Sequence, residues 1–200
     1  PYVQPPEPTD IEVAGILRGM YLLSAQTQTK GPRAQLLASG VSVPWALEAQ
    51  KLLREDWGVS ADVWSVTSWN ELRRDGLKVD RHNFLNPSAA PSTSWVTEKL
   101  TGTEGPVIAV SDFMRAVQDQ IRDWVPNDFV SLGTDGWGMS DTRGALRRHF
   151  LVDAQSITVQ TLAMLVKRGE MPAERVQEAI DRYDLTNPKA ASAGNTEGGG

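Results

Sequence analysis

The sequence predicts an α/β fold in three layers, a mostly parallel central sheet flanked by helices. Strand-like and helix-like segments alternate four times along the chain, the pattern of parallel strands joined by crossover helices. Val107-Ile108-Ala109-Val110 is a continuous apolar run, as a parallel strand buried on both faces requires. The third observation is the stretch Leu132 to Arg143, LGTDGWGMSDTR, where a short strand, Asp128 to Leu132, runs into a glycine-rich turn. Beyond the turn, Ser140 or Asp141 is placed to cap a helix carrying Ala145, Leu146 and Phe150. That junction is where α/β folds carry their distinctive loops.

A length of 200 residues suits one domain with a real core, and 40 % hydrophobic with 22 % charged residues is ordinary for a globular chain. The net charge of −5 offers no basic excess to neutralise phosphates, which argues against a nucleic-acid partner. Without cysteine there is no disulfide, thiolate catalysis or cysteine metal site, a composition that fits a cytoplasmic location. No apolar run approaches the roughly 20 residues of a membrane span, so no membrane is expected, and the first ten residues have no signal-peptide pattern. A first residue of proline rather than methionine predicts a fragment or a processed product.

Residues 1–8 carry four prolines and read as an extended linker. Thr9 and Glu12 have capping-box spacing ahead of a short helix ending at Arg18. Met20 to Leu23 reads as an edge strand, and Ala34 to Ala38, after the Gly31-Pro32 break, as a better one. Ser39-Gly40 turns the chain, and Pro44 opens a helix with Trp45, Ala49, Leu52, Leu53 and Trp57 at helical spacing, stopped by Gly58. Ala61 to Val66 alternates and is rich in β-formers. Ser68 with Glu71 offers a second capping box before Trp69 and Leu72. Asp75 to Ser94, polar and holding Pro87 and Pro91, reads as a long irregular connection, with a short helix from Trp95 to Leu100 after it. After the central strand, Asp112 caps a helix with Phe113, Val117, Gln120, Ile121 and Trp124 on one face. Asp153 then caps a helix through Ile157, Leu162 and Leu165 to Gly169, and Pro172 starts a last one with Val176, Ile180 and Tyr183 as its stripe. The expected organisation is a linker over 1–8, one domain over 9–185 and a disordered tail over 186–200.

Little of this sequence promises chemistry. GTDGWG is not the dinucleotide fingerprint, no P-loop lysine follows it, and Trp137 and Met139 cannot serve as calcium ligands. Two readings of the loop stay open. In one it is a turn needing positive φ, with Trp137 packed as a plug. In the other, Asp135, Trp137, Ser140 and Asp141 form an interface loop presented to a partner subunit or neighbouring domain, with the aromatic as a hot spot. The two histidines, His82 and His149, have no cysteine or acidic partner at ligand spacing and are expected at the surface. No nucleophile elbow and no convincing carboxylate pair is present. Catalytic, cofactor-binding and metal-ligating residues are therefore expected to be none. Of seven tryptophans, Trp45, Trp57, Trp64 and Trp124 fit core stripes, while Trp69, Trp95 and Trp137 are candidates for contact surface.

A series of blocks then carries a family resemblance: Gln35 to Gly40, Asp56-Trp57-Gly58-Val59, Asp62 to Trp69, Glu71 to Gly76, Gly105-Pro106-Val107, Ser111 to Met114, Gln120-Ile121-Arg122 with Trp124-Val125-Pro126, and Leu132 to Gly138 with Ser140 to Arg143. Over residues 9–185 the chain resembles the C-terminal domain of the homodimeric, thiamine-diphosphate-dependent type of pyruvate dehydrogenase, in its actinobacterial form. It departs at Trp137 and Met139, where the family pattern more often has phenylalanine and arginine, and around His82 and Asn86, where tryptophan and histidine are commoner. The resemblance implies a transketolase-type C-terminal domain. In the whole enzyme, thiamine diphosphate and Mg2+ bind between two upstream domains across the dimer interface. Thr134-Asp135-Gly136 is the only near match here to the cofactor motif, so no cofactor is expected in this domain. Implied partners are a second copy in a homodimer, the upstream domains of the same chain, and dihydrolipoyl acetyltransferase, which would receive the acetyl group on its lipoyl arm. The alternative expectation is a stand-alone, non-enzymatic assembly or regulatory module of the same fold.

Overall fold

The computed structural model describes residues 12–26 and 30–190. The linker over 1–8, Thr9 and all of the tail after residue 190 lie outside them. In chain order the elements are α1 (Val13–Arg18), β1 (Met20–Ser24), β2 (Arg33–Ala38), α2 (Val43–Trp57), β3 (Ser60–Val66), α3 (Trp69–Leu85), α4 (Trp95–Leu100), β4 (Val107–Val110), α5 (Arg115–Asp119), β5 (Phe129–Leu132), α6 (Arg143–His149), α7 (Ala154–Lys167) and α8 (Glu174–Arg182). Five strands form one sheet in the order β1-β3-β2-β4-β5. The neighbours β3-β2, β2-β4 and β4-β5 are parallel, and β1 is an antiparallel edge strand against β3. The expected three-layer, mostly parallel architecture is what the chain builds.

Side-chain alternation divides the core between the two faces of that sheet. On one face Ala34, Leu36, Ala38, Val63 and Ile108 pack with Ala49 and Leu53 of α2, Ile157 and Leu162 of α7 and Ala179 of α8. On the other, Leu37, Trp64, Val66 and Ala109 pack with Trp69 and Leu72 of α3 and with Trp95, Val96 and Leu100 of α4. Adjacent Leu36 and Leu37 are both fully buried and serve opposite layers, which is why β2 does not alternate apolar with polar and β4 is apolar throughout.

Four expectations need correcting. The segment from Asp75 to Ser94 is not irregular throughout, because α3 continues to Leu85. Its polarity is that of a helix projecting past the body, and Gly76 sits there because Trp124 packs where a Cβ would stand, 2.4 Å away. Ser68 caps α3 as its spacing implies, accepting the Glu71 N–H at 3.1 Å. Secondly, Trp69 and Trp95 are core residues, each 4 % exposed, rather than contact surface. Each indole N–H finds a buried acceptor, Ser39 Oγ at 2.9 Å and the Met20 carbonyl at 3.0 Å, so burial leaves no polar group unpaired. Thirdly, Asp112 does not cap a helix: α5 begins only at Arg115, and Phe113 stands outside it. The fourth is Ser140 or Asp141 as cap, since Thr142 holds the extended N-cap geometry and its Oγ1 accepts the Ala145 N–H of α6. Asp153 caps α7 as expected, taking the Ser156 N–H at 2.9 Å.

Two polar clusters lock the C-terminal helices onto the body. Arg148, 3 % exposed, pairs with buried Asp153 at 2.6 Å and donates to the carbonyls of Tyr183 and Asp184 at 3.0 and 3.2 Å. The Tyr183 hydroxyl accepts from the Trp57 indole at 2.8 Å and donates to Asp56 at 2.9 Å, while Arg182 pairs with the same carboxylate at 2.5 Å. Burial pushes the Tyr183 phenol up to about 12, with the Asp56 carboxylate acting in the same direction.

Replacing Arg148 by Met strands a buried carboxylate and two carbonyls, and should lower unfolding free energy in urea by about 3–5 kcal/mol. A loss under about 1 kcal/mol would show that water reaches the cluster. The Tyr183 shift predicts a second, pH-dependent effect. Its folded pKa lies above the unfolded value, so the contribution is complete below pH ~10 and disappears as pH climbs toward 12. Because the group is half-exposed, its size is on the order of 1 kcal/mol. Urea midpoints recorded over that window should fall less steeply for Tyr183→Phe than for the parent.

Candidate interaction site

Parallel strands deliver their following loops to one edge, and here the carboxyl ends of β2, β4 and β5 bring Ser39, Ser111 and the loop after Leu132 together. Strand order reverses at β2: the chain moves outward to β3 and then returns past β2 to β4. In open α/β sheets the crevice at such a point is where ligands bind. This one is filled from within. Ser39 Oγ and Ser111 Oγ are 2.9 Å apart, and the Trp69 indole donates to Ser39 Oγ at the same distance. Ser111 Oγ also accepts the Phe113 N–H at 3.2 Å.

The glycine-rich loop starts as a tightly built structure and ends as an open one. Thr134 N–H donates to the Phe113 carbonyl at 2.9 Å, and Thr134 Oγ1 to the Asp112 carbonyl at 2.6 Å. Asp135 Oδ1 accepts the Arg115 N–H at 2.9 Å, so it caps α5 from across the gap. The approach needs glycine at position 133, because a Cβ there would lie 2.5 Å from the Phe113 carbonyl oxygen. Gly136 has φ +89, the left-handed region that glycine enters without strain. From that residue to Asp141 the chain is exposed.

Trp137 is 94 % exposed, so it is not a plug. Met139 at 55 %, and Phe113 and Met114 at 54 % and 56 %, stand on the same loop and on the segment hydrogen-bonded to it. Ser140 is exposed, and Asp141 Oδ1 accepts the neighbouring Thr142 N–H at 2.6 Å. The candidate set thus divides: Asp135 and Asp141 hold backbone, while Trp137 and Ser140 face outward. Sequence reasoning missed Phe113 and Met114 by assigning Phe113 to a helix face. The available signal was Ser111-Asp112 directly after a buried strand, where short polar side chains compete for backbone N–H groups and delay a helix.

At the opposite edge, a 410 Å³ cleft is lined by Arg33, Gly105, Asn127, Arg168 and Glu170 among others. Its cations are already matched, Arg33 by Asp62 at 3.0 Å and Arg168 by Asp128 and Glu170, each at 2.6 Å. Hydrogen bonding to Glu170 leads the effects that hold the Arg168 guanidinium above its ordinary range. His82 and His149 are both exposed. Among the described residues, no group of three or more His, Asp or Glu side chains is placed to hold a metal ion. Asp135, the one carboxylate in a motif resembling the cofactor signature, gives Oδ1 to the Arg115 N–H, and among the described residues it belongs to no group of three or more acidic or histidine side chains that could hold Mg2+.

Fold and site together define an α/β domain whose switch-point crevice is closed and whose distinctive loop points outward. Residues 19–153 match the family model described as the transketolase-like TK C-terminal domain, and the chain belongs to that family. It is 47 % identical over 199 residues to the pyruvate dehydrogenase E1 component of Mycolicibacterium smegmatis, covering all of this chain and 21 % of that protein. The E1 component of Mycobacterium tuberculosis matches at the same identity and coverage, and that of Escherichia coli K12 is 40 % identical over 195 residues, 95 % of this chain and 22 % of the relative. The chain therefore spans about a fifth of the length of these relatives. Among solved structures, transketolase from Campylobacter jejuni superposes with a TM-score of 0.52 at 21 % identity, over 79 % of this chain and 20 % of that one. A Pichia stipitis transketolase gives 0.51 at 18 %, over 82 % and 21 %. These two show the shared fold.

Two substitutions separate the anchored half of the loop from the open half. Gly133→Ala forces a Cβ against backbone and should cost about 1–3 kcal/mol in urea unfolding. Trp137→Ala should leave the same midpoint within about 0.5 kcal/mol, as expected for a surface side chain. A large loss for Trp137→Ala would mean that the indole is packed after all.

Proposed function

We propose that this chain is the C-terminal, non-catalytic domain of a cytoplasmic pyruvate dehydrogenase E1 component, and that it builds the homodimer by docking on other domains. The longer enzyme decarboxylates pyruvate with thiamine diphosphate and Mg2+ held by upstream domains, and reductively acetylates the lipoyl group of dihydrolipoyl acetyltransferase. The observation that carries this reading is the 47 % identity to two E1 components along the whole chain. The site's geometry supports it. The crevice where a doubly wound sheet would take a ligand is occupied by Ser39, Ser111 and Trp69, while Trp137 at 94 % exposure is offered outward. An aromatic ring on an anchored loop is the side chain that interface cores favour.

Titration calorimetry tests the assignment. Thiamine diphosphate with Mg2+, added to the 200-residue chain, should give no binding heat. Saturable binding with a Kd below about 100 μM would place a cofactor site in this domain and overturn the reading. In the longer enzyme, Trp137→Ala should raise the dimer dissociation constant by about tenfold or more in analytical ultracentrifugation, the scale of a modest hot spot. An unchanged constant would remove the loop from the interface.

A further inference from the structure

The projecting half of α3 carries a second unpartnered face, remote in sequence from the glycine-rich loop. At 100° per residue, Arg73, Leu77, Lys78, Arg81, Phe84 and Leu85 fall within about 140° of arc, opposite the side on which Leu72 and Gly76 are buried. Phe84 is 83 % exposed, Leu85 59 % and Leu77 43 %. No carboxylate lies on that arc. The acidic residues of α3 lie outside it and are engaged: Glu71 and Asp80, about 20° beyond its two edges, hold Arg74 and the Trp124 indole, and Asp75 holds Arg18 and the Trp95 N–H. An acidic chain, net −5, has thus gathered four exposed cations around an exposed aromatic ring, of which Arg74 is paired with Glu71 at the rim.

The end of this helix is fastened rather than frayed. Asn83 clasps the returning chain through two bonds, Nδ2–H to the Ser92 carbonyl at 3.0 Å and Oδ1 from the Ser92 N–H at 2.8 Å. Asn86 folds back on the His82 carbonyl, with its side chain at 2.8 Å and its backbone N–H at 3.0 Å. The clasp holds Phe84 and Leu85 in place although neither is packed on the body.

We propose that this face of α3 is a helix-in-groove docking element, and that its occupant is an acidic surface with an apolar socket on the upstream domains of the longer E1 chain. The inference rests on the reading of this chain as one domain of a longer protein. About four-fifths of the relatives' length lies outside this chain, ample to supply such a surface. A second copy of the same face is a poor occupant, because an isologous contact would set Arg73, Lys78 and Arg81 against their own equivalents. The docking mode is one in which a helix lays residues spaced i, i+4 and i+7 into a partner's groove, the spacing of Leu77, Arg81 and Phe84.

Hydroxyl-radical footprinting read by mass spectrometry tests it. The oxidation rate of Phe84 is compared in the 200-residue chain and in the longer enzyme. In the longer enzyme the rate should fall about tenfold, as an open ring becomes a desolvated interface core. Reversing three of these cations (R73E, K78E, R81E) should restore the faster rate without altering the circular dichroism of the isolated domain. Equal rates in the two proteins would overturn the proposal. So would concentration-dependent protection in the isolated chain, which would assign the face to a second copy, or protection of that chain by anionic phospholipid vesicles, which would assign it to a membrane surface. The readout needs neither thiamine diphosphate nor the Trp137 loop, so its failure is separate from failure of the proposed function.

Discussion

Strand β2 is the constraint on which the rest of the molecule depends. It pairs in parallel with β3 on one side and β4 on the other, and five of its six residues are buried. A strand enclosed in this way has no solvent face, so both neighbours and both helical layers must be in place before its backbone and side chains are satisfied. The polar member of the run, Gln35, shows how strict the requirement is. Fully buried, it donates to Asp62 and to the Glu104 carbonyl and accepts the Trp64 indole N–H, joining three segments through one amide. Parallel pairing also fixes polarity. Once β2, β4 and β5 run the same way, the loops after Ala38, Val110 and Leu132 must emerge together.

That shared edge explains why the site is a surface and not a pocket. The reversal of strand order at β2 opens a crevice, and the chain closes it with hydroxyls and an indole instead of leaving polar backbone ends to a ligand. With the crevice filled, the remaining freedom lies in the outer loop. Thr134 and Asp135 fix its root through bonds to residues 112–115, and the next residues rise clear of the body. The same approach makes Gly133 at the root intolerant of a Cβ, whereas in the tip Gly136 is held to glycine only by its φ of +89 and a Cβ at Gly138 would meet nothing within 4 Å.

Much of this was legible in the residues because it rests on burial. The apolar runs Ala34 to Ala38 and Val107 to Val110, the capping pairs Ser68–Glu71 and Asp153–Ser156, and the helix-ending Gly58 each have one dominant physical cause. What misled was position relative to water. Residues 75–85 are polar because the helix leaves the body, and a polar amphipathic helix with little buried surface resembles a loop. Trp69 and Trp95 lie where strand and helix periodicities change, so no stripe marked them as core. Trp137 left two environments open from sequence alone, since a tryptophan between glycines satisfies the requirements of a turn whether its ring points in or out. Arg148 gave no signal either. Its burial depends on Asp153 and on carbonyls 35 and 36 residues away, contacts that exist only after α8 has docked.

The two exposed apolar features share an energetic oddity. Exposing Trp137 and Phe84 gains the domain nothing, and fixing the backbone beneath each carries an entropic cost of about 1–2 kcal/mol per residue. The chain nonetheless invests hydrogen bonds in both places, from Asp135 under one and from Asn83 under the other. These bonds hold α5 and the end of α3 within the domain, and they also lower the ordering cost of an encounter, since the backbone at Phe84 and at the root of the Trp137 loop is already fixed. Presentation of an aromatic from a fastened root by an otherwise satisfied body is the arrangement expected of a surface whose partner completes the fold.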